Sequence, residues 1–179
     1  MKTNKQLRNL KIWTVGHSTR ELADFLHLLE ENNIEAIADV RSLPGSRKFP
    51  QFNSEDLEPA LREAGMDYKL IKQLGGRRKV RPDSPHTVWR HKSFRGYADY
   101  MDTPGFEEGI EILIELAREK RTAIMCAEAV WWRCHRSMIA DHLKARGAIV
   151  EHIMDGKNVL HPYTSAAKIV GGSLVYGAE

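Results

Sequence analysis

Between Thr122 and Gly147 the chain reads TAIMCAEAVWWRCHRSMIADHLKARG, which brings both of its cysteines close to a carboxylate, a histidine and several arginines. Cys126 and Glu128 follow the apolar run Ala123-Ile124-Met125, and Cys134, His135 and Arg136 follow the loop Ala129 to Arg133. A thiol set among cations at the start of a helix ionises more readily than a free one, so Cys134 is a candidate nucleophile. Cys126, at a strand end, reads either as a second reactive thiol or as a small buried hydrophobe. Glu128 and His135 are able to move a proton. Arg136 can fork around a phosphate or a carboxylate. Trp131 and Trp132 in the loop read as a packing pair or as a cover over a substrate.

Two further groups carry the same kind of chemistry. Gly16-His17-Ser18 follows the β-rich run Ile12 to Val15, and Asp39 and Arg41 follow or end the run Ala36 to Val40. Histidine titrates where catalysis operates, so His17 is a candidate acid or base. Ser18, three residues before Glu21, is either a helix cap in capping-box spacing or a ligand contact. Asp39 and Arg41 alternate along a strand and therefore line one face, as an ion pair or as a binding pair.

The elements that must hold these groups are legible in the apolar pattern. Leu22, Phe25, Leu26 and Leu29 recur with helical period, which predicts a helix from about Arg20 to Asn32 between strands Ile12–Val15 and Ala36–Val40. Strand, helix, strand at this spacing is a βαβ unit with parallel strands. Asn53 or Ser54 caps a short helix that stops at Gly65, and Tyr68 to Ile71 reads as a short strand. Phe94 to Met101 reads as a helical turn or two. Thr103-Pro104 opens a longer helix ending near Lys120, and Gly147 ends the helix that begins at Cys134. Ala148 to Ile153 is a further strand, Asp155-Gly156 a turn, and Asn158 to Leu160 pairs back as a hairpin. Residues 1–11 read as a polar, partly mobile leader, and the chain from His161 as polar and extended. The expectation is one α/β domain over 1–179, a single open and mainly parallel sheet flanked by helices, with a long insertion at 42–103. In such sheets the loops after the strands gather at one edge, where ligands bind. That rule brings His17, Asp39, Arg41, Cys126, Glu128, Cys134, His135 and Arg136 to one crevice.

Composition narrows the classes. With 179 residues, 42% hydrophobic and 28% charged, the chain has the profile of a soluble globular protein, with no apolar run of membrane-spanning length. The N-terminus shows no signal-peptide pattern, and two cysteines make no disulfide framework, which points to a cytoplasmic protein with reduced thiols. Seven residues separate Cys126 from Cys134, unlike the short spacing of a zinc knuckle, so no metal is expected. No motif calls for a cofactor, and oligomeric state is not written in the pattern. A net charge of +3 permits an anionic partner without demanding nucleic acid.

At Gly16-His17-Ser18-Thr19, Asp39-Val40-Arg41, Leu74-Gly75-Gly76 and the segment Cys126-x-Glu128 to Cys134-His135-Arg136, the chain resembles a bacterial and archaeal family known as domain of unknown function 488. The resemblance covers nearly the whole chain. It implies an α/β domain and a shared polar site at the residues named above, and it supplies no reaction. A fainter likeness is to rhodanese-like sulfurtransferases, which also place aspartate-x-arginine after a strand and a cysteine before an anion-holding loop. Here Arg133 and Arg136 follow Cys126 at seven and ten residues, too far for the six-membered loop of that class.

Three functions fit these residues. The first is an enzyme acting on a small phosphate-containing or nucleotide-like anion, held at the helix start and by Arg41 and Arg136. The second is a nucleic-acid module using the basic and aromatic run from Arg77 to Tyr97. The third is rhodanese-like sulfur transfer or a thiol redox pair formed by Cys126 and Cys134. Their spacing departs from C-x-x-C, which ranks the redox pair last.

Overall fold

The computed structural model describes residues 6–178, so the first part of the polar leader lies outside the described residues. Six strands form one sheet in the order β3-β2-β4-β1-β5-β6. They are Lys11–Gly16 (β1), Ala36–Asp39 (β2), Asp67–Leu70 (β3), Thr122–Cys126 (β4), Ile149–His152 (β5) and Val159–Leu160 (β6). The first five run parallel, and β6 returns antiparallel on β5 as the expected hairpin. The sheet is open and flanked by five helices, Leu22–Glu31 (α1), Ser54–Glu63 (α2), Lys92–Met101 (α3), Pro104–Glu119 (α4) and Arg136–Ala145 (α5).

Strand periodicity sorts side chains between two cores. Trp13, Val15, Ile37, Ala123 and Met125 point to one face, where they pack against Phe25 and Leu29 of α1 and Leu57 and Leu61 of α2. Ile12, Ala38, Ile124 and Cys126 point to the other, against Phe106, Ile110 and Leu113 of α4 and Ile139 and Leu143 of α5. Burial on both faces explains why these strands read as continuous apolar runs. The stretch 42–103 contributes α2, α3 and the edge strand β3, so part of it is built into the sheet.

Several local expectations are corrected. The Ser18–Glu21 capping box does not form: Glu21 occupies the N-cap without a side-chain bond, and Ser18 has a positive φ of 52°. The reason is that Ser18 N–H is already bound to the Ala127 carbonyl across the neighbouring loop. Cys134 is not in the first helical turn. A short 3-10 turn at Trp131–Arg133 precedes it, its backbone is extended, and α5 begins at Arg136. Leader residue Leu7 is buried, with its N–H on the Arg146 carbonyl. The stretch after His161 is not simply extended: it forms a hairpin, Lys168–Val170 (β7) and Ser173–Val175 (β8), and buries His161 and Tyr176 against Asp141. No helix among the described residues is long and apolar enough to cross a membrane.

Candidate active site

β1, β2 and β4 end side by side, with Gly16 beside Cys126 and Asp39 beside Met125. Their loops therefore open at one edge of the sheet. Gly16 is required there: a Cβ on it would lie 1.9 Å from the Glu128 carbonyl oxygen and 2.9 Å from Arg136 Nη1. His17 N–H binds the Cys126 carbonyl, which ties the first loop to the third.

Asp39 and Arg41 form a buried fork. Arg41 Nε donates to Asp39 Oδ1 at 2.9 Å and Nη2 to Oδ2 at 2.7 Å. Tyr68 of β3 donates to the same Oδ2 at 2.6 Å, from the short strand expected at Tyr68 to Ile71 but with a partner 29 residues away that the pattern does not reveal. Burial chiefly, and then the Asp39 charge, push the Tyr68 phenol up. His17 stacks on Phe52, its Nδ1–H donates to the Ser18 carbonyl, and its Nε2 faces Arg41 Nη1 at 3.4 Å. Burial is the main cause that lowers its pKa, so the ring is neutral.

The sulfurs meet below the opening. Cys126 Sγ and Cys134 Sγ are 2.7 Å apart. Arg136 Nη1 lies 2.7 Å from Cys126 Sγ and donates to the Glu128 carbonyl at 2.6 Å, while Nη2 reaches the Ala129 carbonyl at 3.3 Å. Arg136 is 0% exposed, its Nε has no hydrogen-bond partner, and no carboxylate among the described residues pairs with it. A buried guanidinium of this kind favours an anion at its ionisable neighbour, here the thiol pair. The sulfurs touch, so they titrate as a coupled pair in which ionising one disfavours ionising the other. Burial, which alone raises Cys134, is outweighed by the hydrogen bond with Cys126, the Arg136 charge and the Arg136 backbone N–H, and the thiol is lowered. Burial pushes Cys126 well up. Cys134 is thus the more acidic thiol of the pair, with the Arg136 N–H 3.5 Å from its sulfur.

His135 completes this group. Its Nε2 binds the Val40 carbonyl at 2.9 Å, which leaves Nδ1 without the proton and 3.6 Å from Cys134 Sγ. A Cβ on Gly76 would come 3.0 Å from that Nδ1, which explains the glycine in Leu74-Gly75-Gly76. Burial first of all lowers the His135 pKa, so the ring is a proton acceptor.

Above the sulfurs lies a crevice of about 480 Å³ lined among others by Arg41, Arg77, Glu128, Arg133, Cys134 and His135. The structure therefore brings Asp39, Arg41, His17, Cys126, Cys134, His135 and Arg136 together around one edge, with Glu128 on the exposed rim. It departs from expectation at four residues. Arg136 acts on the sulfur and loop carbonyls and has no surface toward the crevice. Trp131 stacks flat on His152 with ring centroids 4.5 Å apart, Trp132 is 53% exposed, and neither lines the opening. Ser18 turns its carbonyl to His17. The cations that do line the opening, Arg77 and Arg133, carried no distinguishing pattern beyond local charge. Among the described residues no group of three or more His, Cys, Asp or Glu is disposed to hold a metal ion.

An open, mainly parallel α/β sheet with a polar thiol site at its carboxyl edge is the class that fold and geometry define. Residues 21–143 match the family described as Domain of unknown function DUF488, and the chain belongs to that family. No curated protein and no solved structure shows significant similarity to it.

Proposed function

We propose that this protein is an enzyme that takes a small anionic substrate, phosphate-bearing or nucleotide-like, into the crevice and attacks it with the Cys134 thiolate. The observation that carries the reading is the buried, carboxylate-free Arg136 against a pair of touching sulfurs that both border the opening. Arg136 and the α5 start stabilise the thiolate, His135 Nδ1 takes up a proton in its vicinity, and Arg77 and Arg133 attract the anion. Asp39 and Tyr68 hold Arg41 in place beside the neutral His17. The test is competition: iodoacetamide labelling of Cys134 should slow in the presence of nucleoside monophosphates or inorganic phosphate. In Arg133→Ala/Arg77→Ala that protection should weaken by about tenfold, the loss of roughly 1.4 kcal/mol of anion binding. Labelling indifferent to every anion would remove the substrate half of the proposal.

A nucleic-acid reading is favoured by one observation. A shallow basic groove lined by Arg78, Lys79, Lys92 and Arg95 adjoins the crevice through Ser93. Against it, the aromatics of that run are occupied: Trp89 stacks on Phe94, and Arg78 lies over the Tyr100 ring while donating to the Gly75 carbonyl. Lys79→Ala/Lys92→Ala tests it, since oligonucleotide affinity through that groove would lose about two units of salt slope.

A further inference from the structure

The crevice, the thiol pair and Arg136 together specify what kind of atom Cys134 attacks. Cys134 has a second thiol in contact, which attack on phosphorus or carbonyl carbon does not itself require. It is what resolution of a mixed disulfide requires. We infer that the substrate is a small disulfide carrying anionic groups, and that Cys126 and Cys134 cycle between a dithiol and an internal disulfide. This inference rests on the reading of Cys134 as the nucleophile and adds the identity of its target.

The steps balance as thiol–disulfide exchange. Cys134 thiolate attacks one sulfur of the small disulfide, forms a new S–S bond and expels the other half as a thiolate. Cys126 then attacks Cys134 Sγ and expels the second half, and the Cys126 proton passes to a departing small thiolate. Two electrons pass from the protein to the small disulfide, and two small thiols leave. Low-molecular-weight thiols run the same steps in reverse to restore the dithiol. The spacing that separates Cys126 from Cys134 in sequence is closed by the fold, because β4 delivers one and the turn before α5 delivers the other. With the sulfurs 2.7 Å apart, ring closure requires only a sub-ångström approach to a bond of about 2.05 Å.

Arg136 sets the direction of this couple. In the dithiol form its buried charge is compensated by the shared thiolate; in the disulfide form it faces only neutral sulfur and carbonyl oxygens. The reduced state is therefore the favoured one, and the internal disulfide is an oxidant relative to an unperturbed pair. Arg77 and Arg133 at the opening suit carboxylates or phosphates on the incoming disulfide.

The full-length protein, reduced and kept without air, should be mixed with oxidised glutathione as probe and followed by intact mass. Wild type is expected to form the Cys126–Cys134 disulfide, retain no glutathione and release two equivalents of the reduced tripeptide. Cys126→Ser should instead retain one glutathione on Cys134. Arg136→Met should shift the equilibrium with the glutathione couple toward the protein disulfide by at least tenfold. The serine variant reads the exchange even if the methionine variant folds poorly. The inference is overturned if wild type keeps the mixed disulfide without closing it, or if Cys126→Ser takes up no glutathione while Cys134 still reacts with iodoacetamide. In the latter case Cys134 remains a nucleophile for another electrophile. A Cys134 inert to both reagents would remove the nucleophile reading as well.

Discussion

Arg136 Nη1 lies 2.7 Å from Cys126 Sγ, and among the described residues this sulfur pair is the sole ionisable partner of a guanidinium that is 0% exposed. Arginine at an anion site ordinarily forks onto the anion itself. Under the proposed function this charge instead sits beneath the reacting thiol, out of contact with the substrate.

Replacing Arg136 with lysine keeps a charge but abandons the fork onto the Glu128 and Ala129 carbonyls. The thiol pKa should rise, and Cys134 alkylation at neutral pH should slow about tenfold. The rate of iodoacetamide labelling, read by mass spectrometry, checks this. An unchanged rate would mean that Arg136 only braces the loop.

The Asp39–Arg41 fork is a buried pair, so removing one partner leaves a charge without compensation. Asp39→Asn should cost about 3–5 kcal/mol of stability, whereas Tyr68→Phe, which loses one hydrogen bond to Asp39, should cost about 1 kcal/mol. Denaturant midpoints at neutral pH measure both. Equal losses would show that Tyr68 does more than hold Asp39.

Gly16→Ala places a methyl group 1.9 Å from the Glu128 carbonyl oxygen, where backbone must move. Overpacking of this kind costs about 1–3 kcal/mol. It should also lower Cys134 reactivity, because the displaced carbonyl is the acceptor that positions Arg136. Thermal unfolding together with the labelling rate tests whether the two effects travel together.

Half-buried His142, edge-on to Phe106, is pushed down to about 4 from 6.5, first by burial and then by Arg146. A depressed histidine pKa means that the folded state binds fewer protons than the unfolded chain. The stability this represents is present above pH 6.5 and is lost as pH falls toward 4. The loss should amount to roughly 1–3 kcal/mol, and His142→Gln should flatten it. Unfolding free energies at several acidic pH values provide the check.

The fold was legible where burial imposes a period. The βαβ start, the Thr103-Pro104 helix entry and the hairpin after Asp155 all followed from local pattern. So did the clustering of the DVR and CHR residues, because strand ends in a parallel sheet share an edge. What escaped was decided by contacts between distant segments. Ser18 reads as a cap, yet its N–H is taken by Ala127. Tyr68 sits in a half-exposed edge strand whose pattern gives no reason to join Asp39. Arg136 presents the same residue type whether it faces solvent or sulfur, and only the packing of α5 against β4 shows which. The separation of Cys126 and Cys134 concealed a contact that the three-dimensional course of the chain creates.

Of the two thiols that line the crevice, Cys134 is proposed to be the ionised one. The most direct measurement is the pH profile of its alkylation, mapped by peptide mass spectrometry in wild type, Cys126→Ser and Cys134→Ser. The account predicts that Cys134 is modified first in the wild type, with a rate that reaches half its maximum below the ordinary thiol value of about 8.5. Modification of Cys126 ahead of Cys134, or a Cys134 rate that rises only above that value, would contradict it.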